Sequence, residues 1–330
     1  MQKIAIFGLG SYLPDPVMTN AELSKLVDTS DEWITSRTGI KERHLLAKGQ
    51  TNTDMGHAAA VRALADAGVT ADEITHVLYA TCTGEYITPS ASCLLCDKLG
   101  ISGRFAVDIN AACSGCLFSL VVARGLISAQ PDAKVLLVAA EAHSARTNRL
   151  ARATCVLCGD AAAALVLGSE GMGKTLAVMD DIETGTDGSL GPLLHFGGPR
   201  ECGEYYKIGD TLGVDYFISM NGREVYKHAV RNMAAVSKDV LARNNLTIDD
   251  VDMLVPHQAN MRIMEAVGSR LGVPEEKVFV NLTNTGNTSA ASIPLAIDEA
   301  RRQGALRPGM RVLTCTFGGG LTWSAALFRF

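Results

Sequence analysis

An internal repeat is the feature that most restricts how this chain of 330 residues can fold. Short apolar segments alternate with longer helical ones in the first half, and the same order returns in the second half. The matched positions are Leu78 and Leu254, Val107 and Val280, and Val135 and Val312, which lie 176, 173 and 177 residues apart. An offset of about half the chain predicts two copies of one strand–helix unit. We place the division at residue 170, which gives an N-terminal half over residues 1–170 and a C-terminal half over 171–330.

Alternating strands and helices predict an α/β fold with parallel sheets covered by helices. After a first strand at 3–10, the predicted strands span residues 76–81, 105–109, 135–140, 159–167, 252–255, 278–282, 311–317 and 322–330. The predicted helices span residues 55–68, 90–99, 117–129, 263–271 and 290–303, the last one in spite of Pro294. Functional sites in such sheets lie at the carboxyl ends of strands.

Three chemically useful residues, Cys113, His257 and Asn287, follow predicted strands. The repeat gives Cys113 and Asn287 near-equivalent positions, so we expect all three side chains at one edge of the fold. The set suits either a hydrolase triad with a histidine base or an acyl-transfer site. The three glycines at 318–320 offer close backbone approach and N–H donors for an oxyanion.

Cys113 stands where a predicted strand gives way to a helix, among small neighbours that allow a tight turn and a reachable thiol. A helix N-terminus presents unpaired N–H groups and a partial positive charge. Such a setting can lower the pKa of a thiol from about 8.5 to roughly 3.5–7.5. This stretch alone is compatible with a nucleophile at Cys113, although a small apolar residue in an alanine-rich segment is the commoner interpretation; the combination with His257 and Asn287 favours the nucleophile.

The composition is that of a soluble globular protein, with 47% apolar residues, 20% charged residues and a mean hydropathy of +0.15. A net charge of −5 argues against non-specific binding to nucleic acid. No uninterrupted apolar run reaches the ~18 residues that would span a bilayer. We therefore expect a cytoplasmic protein that binds neither nucleic acid nor membrane, with reduced cysteines.

Three pairs among the nine cysteines have the C-x-x-C spacing of redox and zinc sites. The pairs are Cys93 and Cys96, Cys113 and Cys116, and Cys155 and Cys158. The first and last pairs lie in apolar segments that lack the glycine or proline of a metal knuckle. A redox or metal-binding protein is therefore the minor alternative, and buried free cysteine is the default for the residues other than Cys113.

Seven motifs lie in order along nearly the whole chain. They are Gly-Ser-Tyr-Leu-Pro at 10–14, Thr-Ser-Asp-Glu-Trp-Ile at 29–34, Arg-Thr-Gly-Ile at 37–40, Ala-Ala-Cys-Ser-Gly at 111–115, Val-Pro-His-Gln-Ala-Asn at 255–260, Gly-Asn-Thr-Ser-Ala-Ala-Ser-Ile-Pro at 286–294 and Phe-Gly-Gly-Gly-Leu-Thr-Trp at 317–323. As a set they resemble the β-ketoacyl-acyl-carrier-protein synthase III family, the initiating condensing enzymes of bacterial type II fatty-acid synthesis. The resemblance implies a thiolase-like fold, a duplicated five-layer α-β-α-β-α arrangement, and a homodimer.

The resemblance also implies catalytic roles. Cys113 would take an acyl group from acyl-CoA as a thioester. His257 and Asn287 would hydrogen-bond the thioester carbonyl of malonyl-acyl-carrier protein and stabilise the enolate that forms as carbon dioxide leaves. The backbone N–H groups of Cys113 and Gly319 would form the oxyanion hole. Neither a metal nor a cofactor is implied, because acyl-CoA is a substrate and the two side-chain donors replace a Lewis acid.

Binding roles follow from the same resemblance. Trp33 and Arg152 match the pair that stacks on the adenine of coenzyme A, an arrangement suited to indole and guanidinium. Thr29, Arg37 and Asn260 match other residues along the coenzyme channel.

The acidic carrier protein would dock on basic residues at the tunnel mouth; Lys227 and Arg262 match these positions, and Arg270 would add to them. A position that can hold lysine in relatives holds Ser269 here, so the predicted basic patch is lighter.

The predicted primer pocket is formed by Thr88, Cys158, Tyr226 and Phe317. The first two stand where acetyl-specific members carry phenylalanine, and Thr88 would reach in from the other subunit. The sequence therefore predicts a wider or longer pocket.

Several relatives on the same fold compete with this interpretation. A condensing enzyme or acyltransferase of secondary metabolism would keep the catalytic residues, whereas a non-catalytic partner subunit would lose the cysteine. The glycine signature at 318–320 disfavours chalcone-synthase-like enzymes, and Cys315 lacks the motif of a thiolase. A hydroxymethylglutaryl-CoA synthase would need a glutamate base, and Glu85 and Glu141 lack the expected setting. Residues 180–220 are the least family-like stretch and are predicted to be an elaborated loop region.

Overall fold

The structure is a computed structural model that describes residues 3–197 and 216–330. The strands are β1 (Ile4–Tyr12), β2 (Val17–Thr19), β3 (Glu42–His44), β4 (His76–Ala80), β5 (Phe105–Ile109), β6 (Val135–Glu141), β7 (Ala161–Ser169), β8 (Ala177–Thr186), β9 (Leu194–Phe196), β10 (Ile218–Met220), β11 (Met253–Pro256), β12 (Arg311–Gly318) and β13 (Thr322–Arg329). The α-helices are α1 (Asn20–Leu23), α2 (Asp31–Thr38), α3 (Asn52–Ala67), α4 (Ala91–Leu99), α5 (Gly115–Ala129), α6 (Arg152–Cys155), α7 (Gly222–Arg243), α8 (Met261–Leu271), α9 (Leu282–Thr285) and α10 (Ser292–Arg302). Two short 3₁₀ turns, Ala112–Ser114 and Ser289–Ala291, lead into α5 and α10.

Nine strands form one continuous mixed sheet in the order β11-β12-β13-β8-β1-β7-β6-β4-β5. In the first half, β4 pairs with β6 in parallel, and the β6–β7 and β7–β1 pairs are antiparallel. In the second half, β11 pairs with β12 in parallel, and the β12–β13 and β13–β8 pairs are antiparallel. The same series of pairings therefore occurs twice, and the sequence repeat corresponds to a duplicated fold. The division at residue 170 stays a prediction; β7 ends at Ser169 and β8 begins at Ala177.

The prediction of parallel sheets is confirmed for β4 with β5 and β6 and for β11 with β12, and it is wrong for the other strand pairs of the large sheet, which are antiparallel. Strands β12 and β13 are separated only by the three residues 319–321, whereas parallel neighbours need a crossover of a dozen or more residues. The chain therefore turns back and β13 pairs antiparallel with β12. The two halves of the sheet join where β1 pairs with β8, over residues 4–6 only.

The predicted strand at 278–282 is also wrong as a regular strand. Val278 forms a single parallel bridge with Leu254, next to which Phe279 donates its backbone N–H to the Leu254 carbonyl at 2.9 Å. The N–H groups of Asn281 and Leu282 instead donate to the side-chain oxygen of Gln258, and α9 begins there. The other predicted strands and the five predicted helices are confirmed, with ends that shift by at most three residues.

Five layers result from the way the helices cover the two halves of the sheet. Helix α3 covers the outer face of the first half, where Val77 and Tyr79 are buried. Helices α7 and α8 cover the outer face of the second half. Helices α5 and α10 lie in the middle, and their apolar side chains form one core with Leu78 on one side and Val255 on the other. Alternate residues of a strand thus enter different cores, as the pleat requires.

The middle helices show how the sequence sets this arrangement. The stretch Ala112–Ala129 has a mean hydropathy of 1.7 and would be long and apolar enough to cross a membrane, but one face of it, with Leu117, Leu120 and Ile127, packs between the two halves of the sheet. Helix α10 accommodates Pro294 because this residue lies in the first turn, where backbone N–H groups have no intrahelical partner.

The predicted loop region at 180–220 includes the end of β8, a 3₁₀ segment over Gly188–Leu193, and the antiparallel pair β9–β10. The part that contains Pro199, Cys202, Tyr205 and Tyr206 lies outside the described residues.

Candidate active site

One cavity of about 890 Å³ brings together Cys113, His257 and Asn287. It lies at the carboxyl ends of the central strands, where residues from both halves of the duplicated fold meet. Further sequence-predicted residues line it as well, namely Arg37, Cys158, Tyr226, Asn260, Arg262, Phe317 and Gly319. The sequence predicts that Cys113, His257 and Asn287 meet at one edge of the fold because they follow strands, and in the structure they do.

The turn that carries Cys113 is held by β12 from the other half of the chain. A side-chain Cβ at Gly318 would lie 2.8 Å from the Cys113 nitrogen and 3.0 Å from the Ser114 nitrogen, so only glycine allows this approach. The Thr316 hydroxyl donates to the Cys113 carbonyl at 3.0 Å. Gly319 adjoins the same turn, since a Cβ there would come within 3.4 Å of the Ala112 Cβ.

The Cys113 thiol is reached from the cavity but is otherwise enclosed by protein. Burial raises the pKa of this thiol to about 11; a hydrogen bond with Ser289 opposes the shift, and the charge of Glu141 adds to it. The direction is opposite to the lowered thiol pKa that the sequence predicts, and burial is its largest cause. The Cys113 side chain is therefore a thiol at neutral pH, and its proton would have to leave if Cys113 acts as the predicted nucleophile.

His257 is almost fully buried at the end of β11. Its Nδ1 lies 2.6 Å from the Ser292 hydroxyl, which leaves Nε2 for the cavity. Burial, with a contribution from nearby His143, lowers the pKa of His257 to about 3. The imidazole is therefore neutral, and when Ser292 donates to Nδ1 the hydrogen lies on Nε2, where it can be donated to a substrate oxygen.

Asn287 lies in a loop that is fixed by the segment after α6. Its backbone N–H donates to the Leu157 carbonyl at 2.8 Å, and its carbonyl accepts from Gly159 at 3.0 Å. Its side-chain Oδ1 accepts the backbone N–H of Ser289 at 2.9 Å. Because the oxygen is engaged by the protein, the amide NH₂ group is the part of the side chain that can donate into the cavity.

The sequence interpretation considered Glu141 only as the base of a hydroxymethylglutaryl-CoA synthase and set it aside, yet its buried carboxylate lies close to Cys113. Glu141 ends β6 and is fully buried, and it accepts hydrogen bonds from the Ser289 hydroxyl at 3.2 Å and from the Cys82 backbone N–H at 3.2 Å. The hydroxyls of Thr81 and Thr83 donate to it as well. The strand-end rule could have found Glu141, because it stands at a carboxyl end of the sheet.

Cys82, Glu141 and His143 each place one metal-ligating atom within 4.8 Å of the others. We assign this cluster to hydrogen bonding, because the carboxylate already accepts several donors, which include the Cys82 thiol at 3.3 Å. In the predicted C-x-x-C pairs, Cys93 is exposed, Cys96 is half-buried, and Cys116, Cys155 and Cys158 are buried.

Trp33 and Arg152 stand together, as the resemblance implies. The Arg152 guanidinium lies 4.5 Å from the centre of the Trp33 ring, and Arg37 lies 5.9 Å from it on the same helix, α2. Thr29 lies just before this helix, and its hydroxyl oxygen is buried without a partner among the described residues. Asn260 caps α8 at the rim of the cavity, where its side chain accepts the Arg262 N–H at 2.9 Å.

The remaining predicted residues lie away from the catalytic cavity. Lys227 and Arg270 line a separate surface depression, together with His228 and Arg231, which the sequence interpretation did not single out. Lys227 donates to Glu224 at 2.7 Å. Thr88 lies in an exposed segment and does not line the cavity of its own chain, whereas Tyr226 borders both the cavity and the depression.

Comparisons with known proteins identify the family. Residues 107–188 match the model of 3-oxoacyl-[acyl-carrier-protein (ACP)] synthase III, and residues 241–330 match the model of its C-terminal part. The chain is 58% identical to beta-ketoacyl-[acyl-carrier-protein] synthase III of Nitratidesulfovibrio vulgaris strain Miyazaki F over 323 residues, which cover 98% of this chain and 96% of the relative. The synthase III of Oleidesulfovibrio alaskensis is 52% identical over 99% of both chains.

The structural comparison agrees with the sequence comparison. The crystal structure of 3-oxoacyl-[acyl-carrier-protein] synthase III from Aquifex aeolicus superposes with a TM-score of 0.90 at 40% identity and covers 99% of this chain and 100% of that one. The thiolase-like fold that the motifs imply is thereby confirmed. The chain belongs to the β-ketoacyl-acyl-carrier-protein synthase III family of condensing acyltransferases.

Proposed function

We propose that the protein condenses an acyl-CoA primer with malonyl-acyl-carrier protein, with loss of carbon dioxide, to give a 3-oxoacyl-acyl-carrier protein. The reaction would initiate fatty-acid synthesis in the cytoplasm. The observation that carries the proposal is the single cavity lined by Cys113, His257, Asn287 and Gly319. A nucleophile, two neutral side-chain donors and a glycine turn are what acyl transfer followed by decarboxylation requires.

The first half-reaction is acyl transfer to Cys113. The sulfur attacks the thioester carbon of acyl-CoA, a new C–S bond forms, and the bond to the coenzyme sulfur breaks. The thiol proton leaves Cys113, and the coenzyme departs as a thiol. The backbone N–H groups of Cys113 and Gly319 would hold the negative oxygen of the tetrahedral intermediate, and each such donor is typically worth about 10²–10³ in rate.

The second half-reaction is decarboxylation and condensation. His257 and Asn287 would donate hydrogen bonds to the thioester carbonyl of the malonyl group as the bond to carbon dioxide breaks. The electron pair enters the enolate, whose carbon attacks the acyl-Cys113 carbonyl and releases the sulfur. A neutral imidazole suits this role because its donor is unchanged across the physiological pH range, given a pKa of about 3 for His257.

Coenzyme A would enter over Trp33. The Arg152 guanidinium lies 4.5 Å from the centre of the indole ring, so the two groups would have to separate for an adenine to stack between them. Arg37 and Asn260 line the cavity, and Thr29, whose hydroxyl oxygen is buried without a partner among the described residues, precedes the helix α2 that carries Arg37. These positions support a channel from the surface to Cys113.

The acidic carrier protein would dock where basic side chains surround the cavity mouth. Arg262 lines the cavity, while Lys227, Arg231 and Arg270 border the adjacent depression. Exposed charges of this kind act mainly on the rate of encounter and on salt dependence. The ion pair of Lys227 with Glu224 reduces its free charge, so Arg262 and Arg270 are expected to contribute more.

A homodimer would complete the primer pocket. Strand β5 is an edge of the sheet, and its Phe105 is 49% exposed. The neighbouring segment exposes Tyr86 and Ile87, the latter at 97%. An edge strand beside exposed apolar side chains is a template for pairing with another chain. A second copy bound here would bring Thr88 towards its partner's cavity, and light scattering should give twice the chain mass.

A substrate screen tests the proposed function. The purified protein is incubated with acyl-CoAs of increasing length, with and without malonyl-acyl-carrier protein, and products are followed by mass spectrometry. We expect one acyl group on Cys113 without the malonyl substrate, and a 3-oxoacyl-carrier product with it. Hydrolysis of acyl-CoA without condensation would instead support the hydrolase interpretation of the same three residues.

A further inference from the structure

Arg43 is a buried cation that forms no ion pair within residues 3–197 and 216–330. It lies in β3 and is only 1% exposed. Its guanidinium donates to three oxygens, the Met18 carbonyl at 3.2 Å, Asn20 Oδ1 at 2.8 Å and the Val156 carbonyl at 2.9 Å. A buried charge is costly unless hydrogen bonds compensate it, so the three contacts hold the side chain in one place.

The contact with Val156 ties Arg43 to the segment that fixes Asn287. The Asn287 backbone N–H donates to the Leu157 carbonyl at 2.8 Å, and the Asn287 carbonyl accepts from the Gly159 N–H at 3.0 Å. The guanidinium therefore binds the residue directly before Leu157, within the stretch that holds the Asn287 backbone on both sides.

The stem of Arg43 packs against the same stretch. A Cβ at Gly159 would lie 3.2 Å from the Arg43 Cβ, and a Cβ at Gly286 would lie 3.1 Å from it. Gly286 directly precedes Asn287, so the two chain segments that meet at Asn287 both pass close to Arg43. Its stem and its guanidinium thus contact the surroundings of the amide from one side.

The opposite side of the guanidinium is anchored outside the cavity. Asn20, which accepts from Arg43, is itself buried and donates its NH₂ group to Asp31 Oδ1 and to the Ile40 carbonyl, each at 2.8 Å. Asp31 is the first residue of α2, and Ile40 lies just after the end of that helix. Arg43 therefore connects the segment around α2 with the segment that holds Asn287.

We propose that Arg43 is a positioning residue that holds the Asn287 amide in place for decarboxylation. Arg43 is not among the described residues that line the cavity, so it would act only through Asn287. Without the guanidinium the Val156 carbonyl loses its donor, the segment can shift, and the amide NH₂ group leaves the place from which it would donate to the malonyl carbonyl. The inference rests on the proposed decarboxylation and names the residue that supports one of its donors.

Hydrogen exchange tests the position of Asn287 without any substrate. Deuterium uptake at the Asn287 backbone N–H is followed in the full chain by mass spectrometry with fragmentation to single residues. In Arg43→Lys we expect exchange at least about tenfold faster than in the wild type. The reason is that lysine keeps the charge, but its compact ammonium cannot reach three separate oxygens as the guanidinium fork does.

Arg301→Lys is the matched control. Arg301 also joins distant parts of the chain, through hydrogen bonds to the two Asp66 oxygens at 2.6 and 2.8 Å, and it is not among the described residues around the cavity. Exchange at Asn287 should match the wild type in this variant. Equal exchange at Asn287 in Arg43→Lys and the wild type would overturn the proposal.

The two half-reactions give a second measurement. A displacement of about 1 Å can cost about 10² in rate, so we expect Arg43→Lys to release carbon dioxide from malonyl-acyl-carrier protein roughly 10–10² times more slowly. Acylation of Cys113 by acyl-CoA should fall by less than about threefold, because Asn287 takes no part in it. Equal losses in both steps would show a general structural role instead and would overturn the proposal.

The double variant Arg43→Lys/Asn287→Ala shows whether Arg43 acts through the amide. If it does, the double variant decarboxylates no more slowly than Asn287→Ala, because the group that Arg43 positions is already absent. Losses that multiply in the double variant would overturn the proposal.

Thermal unfolding of each variant accompanies the measurements. If Arg43→Lys does not fold, Asn20→Ala decides the question, because it removes one acceptor of the guanidinium and should give the same pattern with a smaller change. A wild type that releases no carbon dioxide would refute the proposed function, whereas exchange at Asn287 would still show whether Arg43 holds this residue.

Discussion

The two halves of the duplicated fold deliver their reactive side chains through equivalent junctions of different construction. In the first half, β5 pairs along its whole length with β4 and leads through one 3₁₀ turn into the long helix α5. In the second half, the equivalent segment makes one bridge to β11 and passes through α9 and a second turn before α10. The regular junction places the proposed nucleophile just before a helix, whereas the irregular one allows a loop to orient the Asn287 amide.

Replacing the reactive side chain at each junction should give the largest effects, and effects of different kinds. Cys113→Ala should abolish both self-acylation and condensation, because the acyl group has no other acceptor. His257→Ala and Asn287→Ala should retain acylation but slow malonyl decarboxylation by roughly 10²–10³ each. Mass spectrometry of the protein and release of carbon dioxide measure the two steps.

Two results would contradict this assignment of acylation to Cys113 and of decarboxylation to His257 and Asn287. If His257→Ala stopped acylation as completely as Cys113→Ala, a hydrolase-like Cys–His pair would be the better description. An acyl adduct on Cys116 or Cys155 would show that Cys113 is not the nucleophile.

The next largest effect concerns the glycine that joins the halves. Gly318→Ala places a Cβ 2.8 Å from the Cys113 nitrogen, so β12 must move away from the nucleophile turn. We expect activity to fall by about 10², the usual cost of a displacement of about 1 Å. Gly125→Ala is the matched control. Gly125 lies in α5, the helix that follows Cys113, and a Cβ there would have no atom within 4 Å. Equal activity of the two variants would show that β12 does not position Cys113.

The smallest effect concerns the primer pocket, which the second junction borders through the bridge between Cys158 and Asn287. We expect primers longer or more branched than acetyl to be used well, since each buried methylene is worth about 0.8 kcal/mol, or about fourfold. Cys158→Phe should shift preference towards acetyl-CoA, and Thr88→Phe should do the same if Thr88 enters from the partner. A wild type that rejects butyryl- and hexanoyl-CoA would show that neighbouring side chains fill the space.

The sequence could predict whatever depends on local pattern and on the repeat. It placed the strands that end near Cys113 and His257, and the motifs identified the family and the residues that meet in one cavity. It mistook the segment at 278–282 for a strand, because periodicity does not show that Gln258 captures the backbone N–H groups of Asn281 and Leu282.

The features that the sequence could not predict depend on contacts between residues far apart in the chain. The hydrogen bond between Ser289 and Glu141 joins residues that are 148 positions apart, and no local pattern predicts it. The thiol pKa was predicted from the helix end alone, whereas burial by both halves of the fold decides its direction. Thr88 is assigned to the pocket only through a partner, which a single chain does not contain.

The contact between β12 and the turn that carries Cys113 also determines when the site can form during synthesis of the chain. The Thr316 hydroxyl and the Cys113 carbonyl that it binds are 203 residues apart. A ribosome that adds about 5–20 residues per second therefore completes α5 roughly 10–40 s before β12 can reach it. During that interval the nascent chain carries Cys113 without the β12 residues that adjoin its turn. The complete site can therefore form only after translation has delivered the second half.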